Sequence, residues 1–203
     1  MSFRNEEKIV IQSGEIDKIK FTILTNGGIE AYPGRKISSL YFDNMSLKMF
    51  LDSEEGCVPR KKIRVRHYPN TGILNSFNLE TKISSVEGRY KKNNKITENE
   101  FKIICGKGFF DLDYGHCYPK IIVEYFREYY LLKGQRITLD YDIRFNNYQS
   151  NTFFKNYENL IIEIKGDEKF NKDYFQNILP FDRSRFSKYT YAIKKLSLMN
   201  LTD

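Results

Sequence analysis

Residues 60–68 carry the densest set of side chains that could bind an anion. At the two-residue period of a β-strand, Lys62, Arg64 and Arg66 fall on one face, opposite two β-branched residues. Arginine suits planar, multidentate contacts with phosphate and is an uncommon choice for a face that only keeps a protein in solution. Taken alone, the segment favours an antiparallel sheet with one solvated face.

The same arrangement recurs in other segments, each with charged residues on one face and mainly apolar residues on the other. These charged sets are Arg4, Glu6 and Lys8; Glu80 and Lys82; Arg127; Arg136 and Asp140; and Glu163 and Lys165. In an open sheet such faces would lie in water, whereas in a closed barrel they would line the interior. Cations crowded into a barrel would repel each other unless an anion filled it, and the carboxylates could hold a divalent cation that bridges phosphates. The spacing is compatible with both arrangements.

The composition is typical of a folded globular protein. The chain has 203 residues, of which 40% are hydrophobic and 29% are charged, so it can bury a substantial core. The formal net charge of +7 favours a polyanionic partner: nucleic acid, an anionic membrane surface or a phosphorylated small molecule. The cations are spread singly and in pairs along the chain without an aromatic RNA-recognition motif, so we do not expect nucleic acid.

The cysteines and the apolar segments indicate the cellular compartment of the protein. Cys57, Cys105 and Cys117 form an odd set without CxxC spacing, which predicts free thiols in a reducing compartment and argues against zinc. No apolar run approaches the length of a membrane span, about 20 residues, and the first residues do not resemble a signal peptide. We therefore predict a cytoplasmic protein without a membrane span.

Hydrophobic periodicity and turn residues predict one α+β domain over residues 1–203, with seven or eight mostly antiparallel strands. Strands are predicted over residues 4–11, 35–42, 60–68, 76–83, 119–130, 136–142 and 159–165. Helices are predicted over residues 13–25, 45–51, 98–105, 172–179 and 188–198. Thr97 to Glu100 has the form of a capping box, and Ser187 suits the N-cap of the last helix. Residues 88–92 are interpreted only as a basic segment, and residues 146–156 as a loop.

Eight short motifs occur in order between residue 4 and about residue 195. They are Arg4-x-Glu6-x-Lys8, Ser39-Leu40-Tyr41-Phe42-Asp43, Lys62-Ile63-Arg64-Val65-Arg66-x-Tyr68, Leu79-Glu80-x-Lys82, Tyr125-Phe126-Arg127, Arg136-Ile137-Thr138-Leu139-Asp140, Ile162-Glu163-Ile164-Lys165 and Phe186-Ser187-Lys188-Tyr189. In this order the chain resembles the VTC domain, the polyphosphate polymerase branch of the triphosphate tunnel metalloenzymes, which also include the CYTH phosphatases and cyclases. Each motif alone is weak, but the ordered set covers nearly the whole chain.

The resemblance implies a fold and a set of site residues. The fold is a closed, eight-stranded antiparallel β-barrel, the triphosphate tunnel, with flanking helices and a C-terminal helix. The residues implied to contact phosphate and to take part in catalysis are Arg64, Arg66, Lys82, Arg127, Arg136 and Lys188. Lys8 and Ser187 are implied as further phosphate contacts, with Ser187 at a helix N-terminus. Lys165 is either another phosphate contact or part of a salt bridge.

Glu163 matches the family carboxylate that holds Mn²⁺ or Mg²⁺. Glu6 and Glu80 are either further metal ligands or partners of neighbouring Arg and Lys side chains. A family lysine beyond the Glu80 strand corresponds to Lys91 or Lys92, and the motifs do not choose between them.

The implied activity is metal-dependent transfer of the γ-phosphoryl group of ATP to a polyphosphate chain. The alternatives are an inorganic triphosphatase, in which water replaces the chain, and a non-catalytic polyphosphate-binding module. The stretch from Lys82 to Arg127 is shorter than in eukaryotic polymerases, and neither an SPX domain nor a membrane segment is recognisable. We therefore expect a protein similar to the stand-alone bacterial versions.

Overall fold

The computed structural model describes residues 5–69, 77–150, 152–156, 158–166 and 170–199. Its strands are β1 (Asn5–Gln12), β2 (Ile29–Asp43), β3 (Arg60–His67), β4 (Phe77–Ser85), β5 (Gly88–Ile96), β6 (Phe109–Asp111), β7 (Gly115–Leu132), β8 (Gln135–Asn147), β9 (Phe154–Asn156) and β10 (Asn159–Gly166). Its helices are α1 (Ile16–Thr25), α2 (Lys48–Glu55), α3 (Glu98–Lys107), α4 (Lys172–Ile178) and α5 (Lys188–Met199), and a 3-10 turn, Ser13–Glu15, precedes α1.

The α+β class and the antiparallel strands are confirmed, and each predicted strand and helix has a counterpart. The capping box is also confirmed, because the Thr97 hydroxyl accepts a hydrogen bond from the Glu100 amide and the Glu100 carboxylate accepts one from the Thr97 amide. Three strands were not predicted. β6 and β9 are only three residues long, and β5 is exposed along nearly its whole length, so it lacks the alternation that marks a half-buried strand. Arg4 lies outside the described residues.

The prediction of a closed eight-stranded barrel is wrong in two respects. The structure has ten strands within its described ranges, because β6 and β9 pair with β7 and β8 beside the main order. That order is β1-β10-β8-β7-β2-β3-β4-β5, and hydrogen bonds do not close it, since β1 and β5 are not paired with each other in the described part of the chain.

Each end strand has a feature that explains why the sheet stops there. Ile9 of β1 forms an isolated bridge with Arg183, and the Ser184 amide donates a hydrogen bond to the Lys8 carbonyl at 2.8 Å. The segment before α5 therefore covers part of the outer edge of β1. At the other end, β5 contains three lysines and an arginine, and a lysine-rich edge resists further strand pairing.

The described residues form two compact units, which we describe separately. The first unit comprises Met1–Lys36, Tyr125–Ile143 and Lys155–Phe186, and the second comprises Ile37–Glu124, Arg144–Phe154 and Ser187–Asp203. The strands β2, β7, β8 and β9 contribute residues to both units. A single domain over residues 1–203 stays a prediction.

Each unit has an apolar core on one side of its strands. In the first unit the core residues include Ile9, Ile19, Leu139, Ile162 and Phe175, which join the strands to α1 and α4. Burying each such side chain contributes about 1.5–3 kcal/mol relative to leaving it exposed. Because strand side chains alternate, this packing directs the charged residues of β1, β8 and β10 to the opposite face.

The core of the second unit includes Leu40, Ile63, Val65, Phe77 and Met49, the last of which belongs to α2. Ile63 and Val65 are therefore buried, as predicted, and the cations of β3 lie on the opposite face. The three cysteines are free thiols, also as predicted. None of the described helices is long and apolar enough to cross a lipid bilayer.

Candidate phosphate-binding site

In the second unit, the strands β3, β4 and β5 place their cations side by side. Lys62 lies opposite Lys82, and Lys82 lies opposite Lys91 on the next strand. We call the face that carries these residues the basic face. By the same register it holds eight cationic residues: Arg60, Lys62, Arg64, Arg66, Lys82, Arg89, Lys91 and Lys95. Like charges directly opposite each other destabilise a pair of strands, so this face favours an anionic ligand.

Glu80 is the one acidic residue on the basic face. Its Oε2 accepts hydrogen bonds from Arg64 Nε at 2.7 Å and Arg64 Nη2 at 2.5 Å, and its Oε1 accepts one from Lys91 Nζ at 2.7 Å. Arg66 Nη1 lies 3.9 Å from the same Oε2. The side chain of Glu80 is only 3% exposed, so its carboxylate acts as a buried counter-ion for three cations.

This arrangement gives Glu80 an unusually low pKa. Burial favours the neutral acid, but the charges of Arg64 and Arg66, with hydrogen bonds from Lys91 and Arg64, lower the pKa from 4.5 to about 2. A carboxylate whose pKa is depressed by folding stabilises the folded state above its unfolded pKa, and this contribution is lost as the pH falls.

We therefore expect the contribution of Glu80, about 3 kcal/mol, to disappear between about pH 4.5 and pH 2. The measurement is urea unfolding of the wild-type protein and Glu80→Gln at a series of pH values from 7 to 3. The difference between their free energies of unfolding should shrink as the pH falls. A difference that stays constant would show that Glu80 is not the titrating group.

Contacts from β2 and α5 fix the orientation of Arg64. Arg64 Nη1 donates a hydrogen bond to the Tyr41 hydroxyl at 2.9 Å, and the Tyr41 ring stacks on Tyr189 with 5.1 Å between the ring centroids. The Tyr189 hydroxyl donates to Asp43 at 2.6 Å, and Asp43 also accepts the amides of Met49 and Phe50 at the start of α2. Asp43 thus joins the end of β2 to two helices and holds the aromatic pair behind Arg64.

Ser187 is the N-cap of α5, as predicted. Its hydroxyl is 3.5 Å from the Thr190 amide, and its carbonyl accepts a hydrogen bond from the Tyr191 amide at 2.9 Å. Lys62 Nζ donates to the same hydroxyl at 2.9 Å, which brings the first cation of β3 to the start of α5. Lys188, the first residue of α5, is half-buried beside this contact.

In the first unit, the charged residues of β1, β7, β8 and β10 alternate in sign. We call their shared face the mixed-charge face. On it Glu6 lies opposite Lys165, and Lys8 lies opposite Glu163. Lys165 Nζ is 3.2 Å from Glu163 and 3.8 Å from Glu6, and Lys8 Nζ is 3.3 Å from Glu6. The salt bridge that was the alternative for Lys165 is therefore present, and its role as a phosphate contact stays a prediction.

Arg127 is anchored on the mixed-charge face by Asp140. Arg127 Nε and Nη2 donate to the two Asp140 oxygens at 2.5 and 2.6 Å, and Asp140 is fully buried. Such a two-point pair fixes the plane of the guanidinium group. Arg127 Nη2 also lies 3.5 Å from Glu163. Arg136 is exposed and lies opposite Lys165, so it occupies the solvent end of this row.

The predicted metal ligands fit a divalent cation only in part. Burial would raise the pKa of Glu163, but Lys165, a hydrogen bond shared with Glu6, and Arg127 hold it well below its ordinary value. Glu163 is therefore ionised, as a metal ligand must be. Among the described residues, no three His, Cys, Asp or Glu side chains form a cluster that could hold a metal. Mg²⁺ is usually bound by only one or two protein carboxylates, and substrate phosphates and water supply its other ligands. The pair of Glu163 and Glu6 fits that pattern.

The structure thus groups the predicted site residues within each unit. In the first unit, one network of ion pairs joins five of them: Glu6, Lys8, Arg127, Glu163 and Lys165. Arg136 lies at the edge of this network. In the second unit, Arg64, Arg66 and Glu80 are in contact, Lys82 lies on the same face, and Ser187 and Lys188 begin α5.

Three residues that were not predicted for the site belong to its surroundings, and one open alternative is narrowed. Tyr41 and Asp140 lie in recognised motifs, but only side-chain contacts reveal that they orient Arg64 and Arg127. Lys62 was on the predicted charged face and was left out of the site. Lys91 was one of two alternatives, and the register places it on the basic face, whereas Lys92 lies opposite Thr81 on the other face.

Solved structures of other proteins share this fold. A candidate adenylate cyclase from Bacillus halodurans has a TM-score of 0.61 and 15% identity, over 92% of this chain and 94% of that chain. A candidate adenylyl cyclase from Hippeastrum, described as having a dominant triphosphatase activity, has a TM-score of 0.61 and 13% identity, over 95% and 96%. A third from Vibrio parahaemolyticus has a TM-score of 0.53 and 12% identity, over 95% and 98%. At these identities the similarity establishes the fold alone.

No curated protein matches the chain by sequence. A family model does match, over residues 3–112 and 109–197, and its description is the VTC domain. The matched ranges include every residue of the basic face and of the mixed-charge face. The resemblance drawn from the eight motifs is therefore confirmed, and the chain belongs to the VTC domain family.

Proposed function

We propose that this protein is a metal-dependent phosphotransferase that extends linear polyphosphate with the γ-phosphoryl group of ATP. The observation that supports this most strongly is the basic face, where eight cationic residues accompany one carboxylate. A short phosphate chain carries several negative charges along its length, which matches cations repeated along and across three strands. An isolated monoanion would not compensate so many cations.

The reaction needs orientation and charge stabilisation more than it needs a side-chain nucleophile. The bond between the γ-phosphorus and the β,γ-bridging oxygen breaks, a terminal oxygen of the chain forms the new bond, and ADP leaves. Phosphoryl transfer of this kind depends on holding the two oxygens in line and on stabilising the charge that develops. We assign phosphate contacts to Lys8, Arg64, Arg66, Lys82, Lys91, Arg127, Arg136, Lys165, Ser187 and Lys188.

Two of these residues are already oriented by neighbours. Tyr41 fixes the guanidinium group of Arg64, and Asp140 fixes that of Arg127. Pre-oriented cations lose little side-chain freedom when a phosphate binds, so more of the contact energy goes into binding.

Glu163, with Glu6, would hold Mn²⁺ or Mg²⁺ on the mixed-charge face. A bound divalent cation would neutralise the charge that develops on the phosphate oxygens during transfer. We assign Glu80 to a different role, that of a counter-ion, because its oxygens accept hydrogen bonds from Arg64 and Lys91.

The test is a product assay with purified protein, ATP and MnCl₂ or MgCl₂. Gel electrophoresis separates polymer by length, and phosphorus NMR separates chain phosphates from orthophosphate. We expect chain growth that requires the metal, is abolished by EDTA, and falls at least about tenfold in Arg66→Ala. Circular dichroism must show that this variant is folded. A wild-type protein that binds polyphosphate but makes no polymer would refute the polymerase proposal.

The same assay addresses a second candidate, an inorganic triphosphatase. The fold neighbour from Hippeastrum, described as having a dominant triphosphatase activity, favours it. In this reaction water takes the place of the chain as acceptor, and the cations serve the same purpose. Release of orthophosphate from tripolyphosphate without chain growth would identify the protein as a triphosphatase. Binding of polyphosphate without formation of polymer or orthophosphate would identify it as a non-catalytic binding module.

A further inference from the structure

Thr138 has a buried hydroxyl that lies next to Glu163 of the proposed site. The residue is 2% exposed, and its Oγ1 has no hydrogen-bond partner among the described residues. A buried hydroxyl without a partner is costly, and such groups in folded proteins call for an explanation. Thr138 lies between Arg136 and Asp140 on the face of β8 that carries both, so it belongs to the mixed-charge face.

The direct neighbour of Thr138 on the adjacent strand is Glu163. The two residues are register partners in the antiparallel pair of β8 and β10, which places their side chains next to each other on one face. Both are buried. In this state, however, the Glu163 carboxylate is held by Lys165, by Arg127 and by the hydrogen bond with Glu6.

A bound phosphate would change this balance. Phosphate oxygens compete for the same cations, and Lys165 is the more exposed of the two cations beside Glu163, at 23% against 12% for Arg127. Glu163 would then remain ionised and buried with fewer hydrogen bonds, which carries a large cost. A donor next to it that is not already used in the ligand-free state would offset that cost.

We propose that Thr138 is a positioning residue for Glu163, and that its hydroxyl donates a hydrogen bond to the Glu163 carboxylate when a phosphate ligand engages Lys165. Among the described residues the hydroxyl has no hydrogen-bond partner, while the Glu163 carboxylate lies 3.2 Å from Lys165 and 3.5 Å from Arg127. This inference rests on the proposed function only in that it requires phosphate binding. It does not require turnover.

The experiment measures tripolyphosphate binding by isothermal titration calorimetry in EDTA, so that no metal contributes. Thr138→Val keeps the shape of the side chain and removes the hydroxyl, and Thr138→Ser keeps the hydroxyl. We expect about tenfold weaker binding by Thr138→Val and near wild-type binding by Thr138→Ser, because a hydrogen bond to a charged group is lost only in the first. The melting temperature of ligand-free Thr138→Val should equal or exceed that of the wild type, since no hydrogen bond is lost in that state.

A double-mutant cycle separates positioning from direct contact with phosphate. In a Glu163→Gln background, Thr138→Val should change tripolyphosphate affinity by less than about twofold, because the charged acceptor is absent. Equal weakening in both backgrounds would mean that Thr138 contacts phosphate itself, and the inference would be wrong. It would also be wrong if Thr138→Val bound normally, if it lowered the ligand-free melting temperature, or if the wild type bound no tripolyphosphate. A wild type that binds tripolyphosphate without making polymer would refute the polymerase proposal and leave this inference intact.

Discussion

Replacing Glu80 with glutamine is expected to lower the free energy of unfolding at pH 7 by about 3 kcal/mol. The carboxylate is 3% exposed and is the shared acceptor of Arg64, Arg66 and Lys91, so the substitution leaves three neighbouring cations without their counter-ion. The depressed pKa of Glu80, about 2, leads to the same magnitude by an independent path. Urea unfolding at pH 7 measures the effect.

The same substitution should tighten the binding of tripolyphosphate, because Glu80 then no longer competes with phosphate for the cations. Added tripolyphosphate should therefore restore more stability to the variant than to the wild type. The matched control is Glu98→Gln, which removes an exposed ion pair with Lys102 on α3 and should cost less than about 1 kcal/mol. Weaker tripolyphosphate binding by Glu80→Gln in EDTA would contradict the counter-ion role.

Glu163→Gln is expected to reduce turnover on the order of 100-fold or more while leaving tripolyphosphate binding in EDTA unchanged or tighter. The amide is a poor ligand for a hard divalent cation, so the charge stabilisation that the metal supplies would be lost. Binding should not suffer, because Lys165 and Arg127 are released from a carboxylate that lies 3.2 and 3.5 Å away. Initial rates and calorimetry on the same preparations separate the two effects.

Glu128→Gln is the control for Glu163→Gln, because Glu128 is a partly buried carboxylate with several hydrogen-bond donors elsewhere in the first unit. Its oxygens accept hydrogen bonds from Lys20, Tyr130 and Tyr141, each at 2.8 Å, and none of these residues is assigned to the site. This variant should lose stability and, once folded, keep its turnover. If both variants lost turnover to the same extent, Glu163 would have only a structural role.

The alternation of β3 and β10 was predicted correctly because each strand has one face that is mainly apolar. Ile63, Val65, Ile162 and Ile164 fill the cores, and a one-residue shift would bury cations instead. The cap of the last helix was also predicted, since Ser187 is a local signal that depends on residues within one turn.

The neighbours across the sheet were not predicted. The row of Lys62, Lys82 and Lys91 depends on the register of three strands, and β5 is polar on both faces, so no apolar pattern marks it or sets its register. The same register separates Lys91 from Lys92. Closure of the sheet by hydrogen bonds was predicted from the family resemblance and is wrong. The edge of β1 is instead contacted by Arg183 and Ser184, about 175 positions away in sequence, and local sequence patterns do not reveal contacts of that range.

The central claim, that the basic face binds linear polyphosphate, is tested most directly by comparing two lysines of one hairpin. Lys82 lies on the basic face of β4, opposite Lys62 and Lys91, whereas Lys92 of β5 lies opposite Thr81 on the other face. The measurement is calorimetric affinity for tripolyphosphate in EDTA at about 0.15 M salt, where charges more than about 8 Å apart are largely screened. We predict that Lys82→Ala weakens binding about tenfold and that Lys92→Ala, with the same change in net charge, stays within about twofold of the wild type. Equal weakening by both variants would show that only net charge matters, and it would contradict the assignment of a phosphate site to this face.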